Sequence, residues 1–434
     1  MTFHDERTGI RWTVVGLLFF ATTINYIDRA VFGILGPMLG EEFKWSEVEY
    51  SRMIMAFQLT YAIGYVCAGR LLDRIGVRMG FLWIVAAWSA AAVAHGLVQW
   101  VPHDTRWTLG NGIVLAVPVL AFAAARAALG LAEGGSFPAS IKTVTEWFPQ
   151  EQRALATGFF NAGSNAGAIS CPLLVPLLVT YWGWPGAFYA TGALGFVWLL
   201  AWGWLYQSPE QHPRVSPAEL AFIRKDKPSP ALHIPWLQLF GCRQTWAFMV
   251  GMMASAPIWW FYIFWGPKFL SAQFNLNLGS SSLPLAMIFL GASFGGIGGG
   301  WLSSALIRRG WSVNAARKVA LLLCALGAVP VMATPMVGNV WVAVALIGLA
   351  AAAHCGFAAN LFTLVSDTMP RHAIGSVVGI GGMASALAAI CFAELTGRVL
   401  QAGGSYQLLF SIASVAYLLA LLVMHILVPR LEKS

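Results

Sequence analysis

Twelve runs of about twenty or more mostly apolar residues follow one another through the 434-residue chain. They cover 12–38, 52–71, 80–99, 117–141, 154–179, 185–206, 245–270, 283–305, 317–336, 340–366, 374–400 and 406–428. A helix that crosses the hydrocarbon of a bilayer needs about 20 such residues. Composition agrees: 58% of the chain is apolar and 10% is charged, against roughly 25% charged in a soluble domain. The expected fold class is therefore an all-α polytopic membrane protein with twelve transmembrane helices in two six-helix bundles. The longest polar connection, the proline-rich segment 207–243, divides the chain. It predicts an N-terminal bundle over 1–206, a cytoplasmic linker over 207–243 and a C-terminal bundle over 244–434.

The net charge of +8 does not indicate nucleic acid, because the basic residues sit in short loops between apolar runs. With both termini inside, the inner segments hold nineteen of the 26 Lys and Arg. The outer segments hold Lys44, Arg52, Arg106, Lys268 and Arg398. Basic residues gather on the cytoplasmic side of membrane proteins, so both ends are expected in the cytoplasm. The first run contains charges and lacks a clear small-residue cleavage site, so it reads as a span and not as a cleaved signal peptide. None of the six cysteines has metal-site spacing, and no cofactor motif or nucleophile–base pair is present. No metal, cofactor or enzymatic reaction is expected.

Spans 1 and 4 carry four charges deep within their apolar runs: Asp28 and Arg29 in 24-INYIDRAVFG-33, and Arg126 and Glu133 in span 4. A charge at mid-membrane costs ~2.5–3.5 kcal/mol even on insertion-derived scales, and such residues usually face a cavity and work there. Arg126 and Glu133 are seven residues apart, about 10 Å along a helix axis. Each therefore needs a partner on another helix, or water. Asp28 and Arg29 project about 100° apart, so one can face a cavity while the other meets a neighbouring helix. The other reading is a charge network that holds spans 1 and 4 together, and both can hold at once. The chemistry divides the work. Arginine stays charged and offers a planar fork to a carboxylate, so Arg29 and Arg126 suit an anion. A buried carboxylate can take up and release a proton, so Asp28 and Glu133 suit proton coupling.

Polar and aromatic side chains accompany these charges. Tyr26 precedes Asp28 by two residues, and Tyr61 lies in span 2. Asn161 and Asn165 are one turn apart in span 5. Span 7 offers the aromatic stretch 257-PIWWFYIFWGPKF-269, and span 10 carries His354 near mid-depth with Asn360 beyond it. Phenols and amides bind hydroxyls, and flat rings cover the apolar face of a sugar. A polyhydroxylated anion fits this set better than an inorganic one. The amides can equally join helices, as can His354. The glycine-rich 291-GASFGGIGGGW-301 reads as close helix packing, not as a phosphate loop.

After span 2 comes 69-GRLLDRIGVRMG-80, and after span 8 comes 299-GGWLSSALIRRG-310. This pair hints at a duplicated transporter architecture. The first resembles the loop signature of the major facilitator superfamily, which implies that Asp73 and Arg74 belong to a cytoplasmic gate. In the second, Ser304 and Ala305 stand where an acid is often found, so a charge lock in that half must use other residues.

Asn25-Tyr26-Ile27-Asp28-Arg29 and the run from Arg126 to Glu133, followed by Gly134-Gly135-Ser136-Phe137-Pro138, are similar to the anion:cation symporter branch. IKTVTEWFP (141–149), RALATGFFNAGSNAGAI (153–169), FWGPKFL (264–270), ANLFTLVSDTMP (359–370) and GSVVGIGG (375–382) resemble the bacterial hexuronate transporters. That resemblance implies a bacterial inner-membrane protein that imports galacturonate or glucuronate with protons by alternating access, as a monomer. It implies proton coupling through Asp28 and Glu133 and carboxylate binding by Arg29, with Arg126 tied to substrate or to the charges around Glu133. It places Tyr26 and Tyr61 in the pocket. The chain departs from the pattern in span 10, where HCGFAAN lacks a Gln and a Trp before the Asn, and in span 8, which has no acid. These changes leave room for another organic anion: an aldonate, an aldarate or an aromatic acid. An uncoupled uniporter or exchanger is the other alternative. A sensor would need a signalling domain, which 37 loop residues and two short tails do not supply.

Overall fold

Gly76 and Gly183 explain how twelve apolar runs give ten long helices. The computed structural model describes residues 8–103, 105–108, 114–225, 236–369 and 371–430. Among these, ten helices or joined helix pairs are long and apolar enough to cross a membrane. Helix α1 covers Ile10–Phe43 and α2 covers Glu47–Leu97. The 51-residue α2 breaks at Gly76, whose φ is +76°. Helices α3 (Val117–Glu133) and α4 (Ser136–Trp147) are joined through Gly134-Gly135 into one span. The 56-residue α5 (Gln150–Leu205) breaks at Gly183, with φ at +67°. Glycine enters this left-handed region without the Cβ clash that bars other residues. Each break therefore divides one long helix into two spans, and the ten become twelve crossings.

Two short helices, α6 (Pro217–Ile223) and α7 (Trp236–Leu239), follow within the connection. Helices α8 (Arg243–Phe274), α9 (Ser282–Arg308), α10 (Val313–Ala328), α11 (Val340–Thr368), α12 (Arg371–Gln401) and α13 (Tyr406–Leu427) complete the chain. Residues 226–235 of the expected linker lie outside the described residues, as do 1–7 and 431–434, which bring Arg7 and Lys433 to the inner charge count. The sequence gives no sign of one small feature. Arg106–Thr108 pairs antiparallel with Val114–Ala116 in the loop before α3.

Contacts gather the chain into two units. The first holds residues 1–32 and 56–230, the second 33–55 and 231–434. In the first, glycines let helices touch backbone to backbone. A Cβ on Gly130 or Gly134 of span 4 would stand 2.3 or 2.4 Å from the Phe57 or Tyr61 carbonyl of span 2. Small residues permit such approach where no hydrophobic force drives helices together. The second unit repeats the device. A Cβ on Gly295 or Gly299 of α9 would stand 2.2 or 2.4 Å from Ala352 or Gly356 of α11. The 291–301 stretch is a packing surface, as its composition suggests.

The connection is tied to the first unit. Glu219 of α6 is fully buried and accepts from the backbone N–H groups of Ile10 and Arg11, each at 3.3 Å, from Arg11 Nη1 at 3.0 Å, and from the Thr8 hydroxyl. The first N–H groups of a helix have no partner within it, and the helix dipole favours an anion there. A carboxylate from the linker thus caps the helix that carries Asp28 and Arg29.

Candidate functional site

Glu133 is the last residue of α3, just before the Gly134-Gly135 break. Close contact of Gly130 and Gly134 with span 2 fixes its depth beside Tyr61. Its partner is Arg29 of α1. Nε and Nη2 of Arg29 both point to the same oxygen, Glu133 Oε2, at 3.0 and 2.9 Å. Arg29 Nη2 also reaches Asn25 Oδ1, one turn earlier, at 3.0 Å. The guanidinium lies over the rings of Tyr26 at 4.8 Å, Tyr61 at 4.9 Å and Phe57 at 5.5 Å. Cation–π contacts of this kind contribute ~0.5–2 kcal/mol each, more when desolvated.

All four intramembrane charges are buried in the first unit. Arg29 is 4% exposed, Asp28 2%, and Arg126 and Glu133 0%. Removing an ion from water costs several kcal/mol, and a buried pair often does little better than apolar residues of the same volume. The Arg29–Glu133 pair therefore has little claim as a stabiliser. Two features bear on its chemistry. Glu133 Oε1 has no hydrogen-bond partner among the described residues, and neither oxygen of Asp28 has one. Beside Asp28 stand the Thr191 hydroxyl, bonded to the Phe188 carbonyl at 3.4 Å, and the Cys171 thiol, bonded to the Ile27 carbonyl at 3.5 Å. So Asp28 faces spans 5 and 6 while Arg29 faces span 4, as their angular separation requires. Both acids keep buried oxygens on which a proton can sit.

Arg126 occupies a separate setting. Its Cζ lies 4.3 Å from the Phe57 ring centroid and 4.9 Å from that of Phe32. Phe57 thus touches both guanidinium groups. The sequence reading missed Asn25, Phe32 and Phe57. Spacing holds a signal for all three: Asn25 is four residues before Arg29, Phe32 four after Asp28, and Phe57 four before Tyr61, so each shares a helix face with a recognised group.

The remaining predicted residues divide by setting. Asn161 is exposed and Asn165 half-buried, and the Asn161 carbonyl accepts from the Ser164 hydroxyl at 2.6 Å. In the second unit His354 stacks on Trp259, with centroids 5.0 Å apart, and bonds the Tyr417 hydroxyl through Nδ1 at 2.9 Å. Asn360 donates to the carbonyls of Gly299 and Gly356, both at 2.9 Å, and so joins α9 to α11. On the first unit, Asp73 is exposed and pairs with Lys142 at 2.6 Å, while Lys142 also reaches the Leu72 carbonyl. Arg74 is exposed and makes no ion pair among the described residues. The second unit has its own ion pair, whose two charged residues lie outside the 299–310 stretch. Arg317 meets Asp367 at 2.9 Å and the Ser303 hydroxyl at 2.7 Å.

The profile of the Major Facilitator Superfamily matches residues 18–393. The chain belongs to this family. Its members most similar to this chain include a hexuronate transporter of Escherichia coli K12, 31% identical over 96% of this chain and 93% of that protein. A D-galactonate transporter of Escherichia coli O6:H1 is 28% identical over 95% and 94% of the two chains. The structure of a D-xylose-proton symporter superposes with a TM-score of 0.74, covering 98% of this chain and 99% of that one at 16% identity. That likeness shows the fold. The protein is a multi-pass membrane transporter of this superfamily and not an enzyme.

Proposed function

We propose that this transporter carries a sugar-acid monoanion, a hexuronate such as galacturonate or glucuronate, into the cytoplasm together with protons, by alternating access. The observation that carries the reading is the Arg29–Glu133 pair. One guanidinium spends two N–H groups on a single carboxylate oxygen and is ringed by Tyr26 and Tyr61. A substrate carboxylate needs the same fork. It can take the fork only when Glu133 lets go, and a proton on Glu133 removes the competing charge. Binding of the anion is thereby linked to protonation.

Charge arithmetic supports the same order of events. With both acids ionised, Asp28, Glu133, Arg29 and Arg126 sum to zero and leave nothing for an anion. Protonation of both makes the cluster +2, and a bound monoanion lowers it to +1. If both protons travel with the substrate, each cycle moves one net charge, and 100 mV of membrane potential contributes ~2.3 kcal/mol. Asp28 and Glu133 are the proton carriers in this scheme, Arg29 is the substrate ligand, and Tyr26 and Tyr61 hold the fork and meet hydroxyls. Arg126, enclosed by Phe32 and Phe57, serves as a fixed counter-charge. Asn161, Asn165 and His354 are further hydroxyl ligands, and Asn360 contributes through helix packing. Asp73 and Arg74 act in cytoplasmic gating. The protein works as a monomer in a bacterial inner membrane, with both termini and the 207–243 linker in the cytoplasm between six-helix bundles over 1–206 and 244–434.

The names of the relatives, a hexuronate and a D-galactonate transporter, support this substrate class. The D-galactonate relative, matched over nearly the whole chain, favours a second reading in which the same site takes an aldonate. The test is uptake of labelled galacturonate, glucuronate and D-galactonate into proteoliposomes acidified outside. Accumulation that collapses with an uncoupler supports proton symport, and the preferred acid decides between the two readings. Equilibration that ignores the gradient refutes the coupling.

A further inference from the structure

A carrier that opens to each side in turn needs a gate at its outer end as well as at its cytoplasmic one. Residues 33–55 hold a set of contacts that the scheme has not used. They comprise the end of α1, the loop after it and the start of α2. They belong to the second unit, although the rest of both helices belongs to the first. The charge count that puts Lys44 outside makes this the outer end of spans 1 and 2.

The contacts that hold the segment all lie within the second unit. Lys268 Nζ of α8 pairs with Glu47 Oε1 of α2 at 2.5 Å and stands 4.4 Å from the Tyr50 ring centroid. The Tyr50 hydroxyl donates to the Phe264 carbonyl at 2.8 Å. The Glu47 backbone N–H donates to Gln401 Oε1 of α12 at 3.0 Å. Glycines bring the backbones together. A Cβ on Gly33 would stand 2.7 Å from the Ile263 carbonyl oxygen, and one on Gly397 of α12 would stand 2.3 Å from the Ser51 hydroxyl.

This is the build of a joint that can part. Pro267 lies inside α8 and has no N–H, so the Ile263 carbonyl lacks its usual donor four residues on. Gly33 packs on that carbonyl, at a place where a helix bends readily. The ion pair is only partly buried, with the Lys268 side chain 12% and that of Glu47 31% exposed. Lys268 also lines a cavity of about 630 Å³ with Ile34, Met38, Glu41, Ser271 and Asn277. Water can take over both charges when the pair separates, so opening costs little. Tyr50 and Ser51 are 0% exposed while the contacts hold. Gly33 is about one turn beyond Arg29, so the held segment begins beside the site.

We propose that Glu47 and Lys268, with Tyr50 latched to the α8 backbone, form the outer gate of this transporter. The pair holds the outer ends of spans 1 and 2 against α8 and α12, and it breaks when a sugar acid enters from outside. The gate rests on the alternating-access reading above and is independent of proton coupling.

The test has two arms. In the first, Glu47→Cys and Lys268→Cys are combined and bridged with a short bifunctional thiosulfonate, with the single variants as controls for the native cysteines. Exchange counterflow is measured in proteoliposomes with whichever of galacturonate, glucuronate and D-galactonate exchanges in the parent protein. It is expected to stop on bridging and to return with reductant. A bridged protein that exchanges as fast as the unbridged one overturns the proposal, because a contact that never parts tolerates a bridge. The second arm needs no substrate. Ser51→Cys is labelled on intact cells with a membrane-impermeant maleimide, alone and together with Glu47→Gln or Lys268→Gln. Either added change should raise the labelling rate about two- to fivefold, the shift that loss of a partly exposed pair allows. Exchanging the charges, Glu47→Lys with Lys268→Glu, should restore protection. Labelling that does not rise, or that the exchanged pair leaves high, overturns the proposal. If none of the three acids exchanges, the substrate reading fails and the labelling alone decides the gate.

Discussion

The two units of this transporter are built on one packing device and filled with different chemistry. In both, glycines bring helices into backbone contact, at Gly130 and Gly134 in the first and at Gly295 and Gly299 in the second. The first unit then buries Asp28, Arg29, Arg126 and Glu133. Among the described residues of the second, no Asp, Glu, Lys or Arg is buried, and its interior polarity comes from His354, Asn360, Ser and Thr. Its ion pairs Lys268–Glu47 and Arg317–Asp367 are both partly exposed. The interior of a helix bundle in lipid can be packed with neutral amides and small residues, as that of the second unit is. The ionic cluster of the first is a cost to a chain in lipid, and the proposed transport of an anion with protons would account for it.

That contrast can be broken most directly at Arg29. Arg29→Lys keeps the charge but not the planar fork, and it leaves Glu133 less well matched. Uptake is expected to fall by about 10- to 100-fold, since a lost hydrogen bond to a charged group costs ~1.5–3 kcal/mol. Uptake within threefold of the parent would show that the fork is not the anion ligand.

Removing the proton sites sharpens the comparison by separating coupling from transport. Glu133→Gln and Asp28→Asn should abolish accumulation against a gradient while leaving counterflow measurable. The remaining exchange should no longer vary between pH 5 and 8, the range in which a transport carboxylate works near neutrality. A variant that still accumulates substrate would remove that acid from the coupling scheme.

The second unit should respond differently. Asn360→Leu breaks two bonds to Gly299 and Gly356 and is expected to lower stability by ~1–3 kcal/mol, as for lost buried hydrogen bonds. Thermal unfolding in detergent would read this, and KM for the sugar acid should stay within about twofold in the folded fraction. A large KM change without a stability change would move Asn360 from packing to substrate binding. The smallest effect is expected at the partly exposed Arg317–Asp367 pair. Asp367→Asn should cost no more than ~1 kcal/mol of stability, measurable as a small drop in unfolding temperature.

Much of this molecule is legible residue by residue. Spans are legible because each helix in lipid must satisfy its own backbone polar groups, so length and apolarity over about 20 residues are enough to mark one. The four intramembrane charges are legible for the same reason, since a bilayer penalises each of them whatever surrounds it. The partnerships are not legible. Arg29 meets Glu133 across 104 residues, and Arg11 meets Glu219 across 208. Both depend on how each helix is rotated and how deep it sits. Phe57 shows the limit well. Its spacing from Tyr61 puts it on a useful face, yet only the packed structure places its ring against two arginines at once.

By itself the sequence determined the number of spans and the presence of charge where a membrane resists it, because those properties belong to short stretches of chain. The tertiary structure alone decided which acid holds Arg29, which oxygens keep room for a proton, and that Phe57 meets two arginines. Each of these is a distance between helices, set by glycine contacts and ring packing that no single stretch encodes.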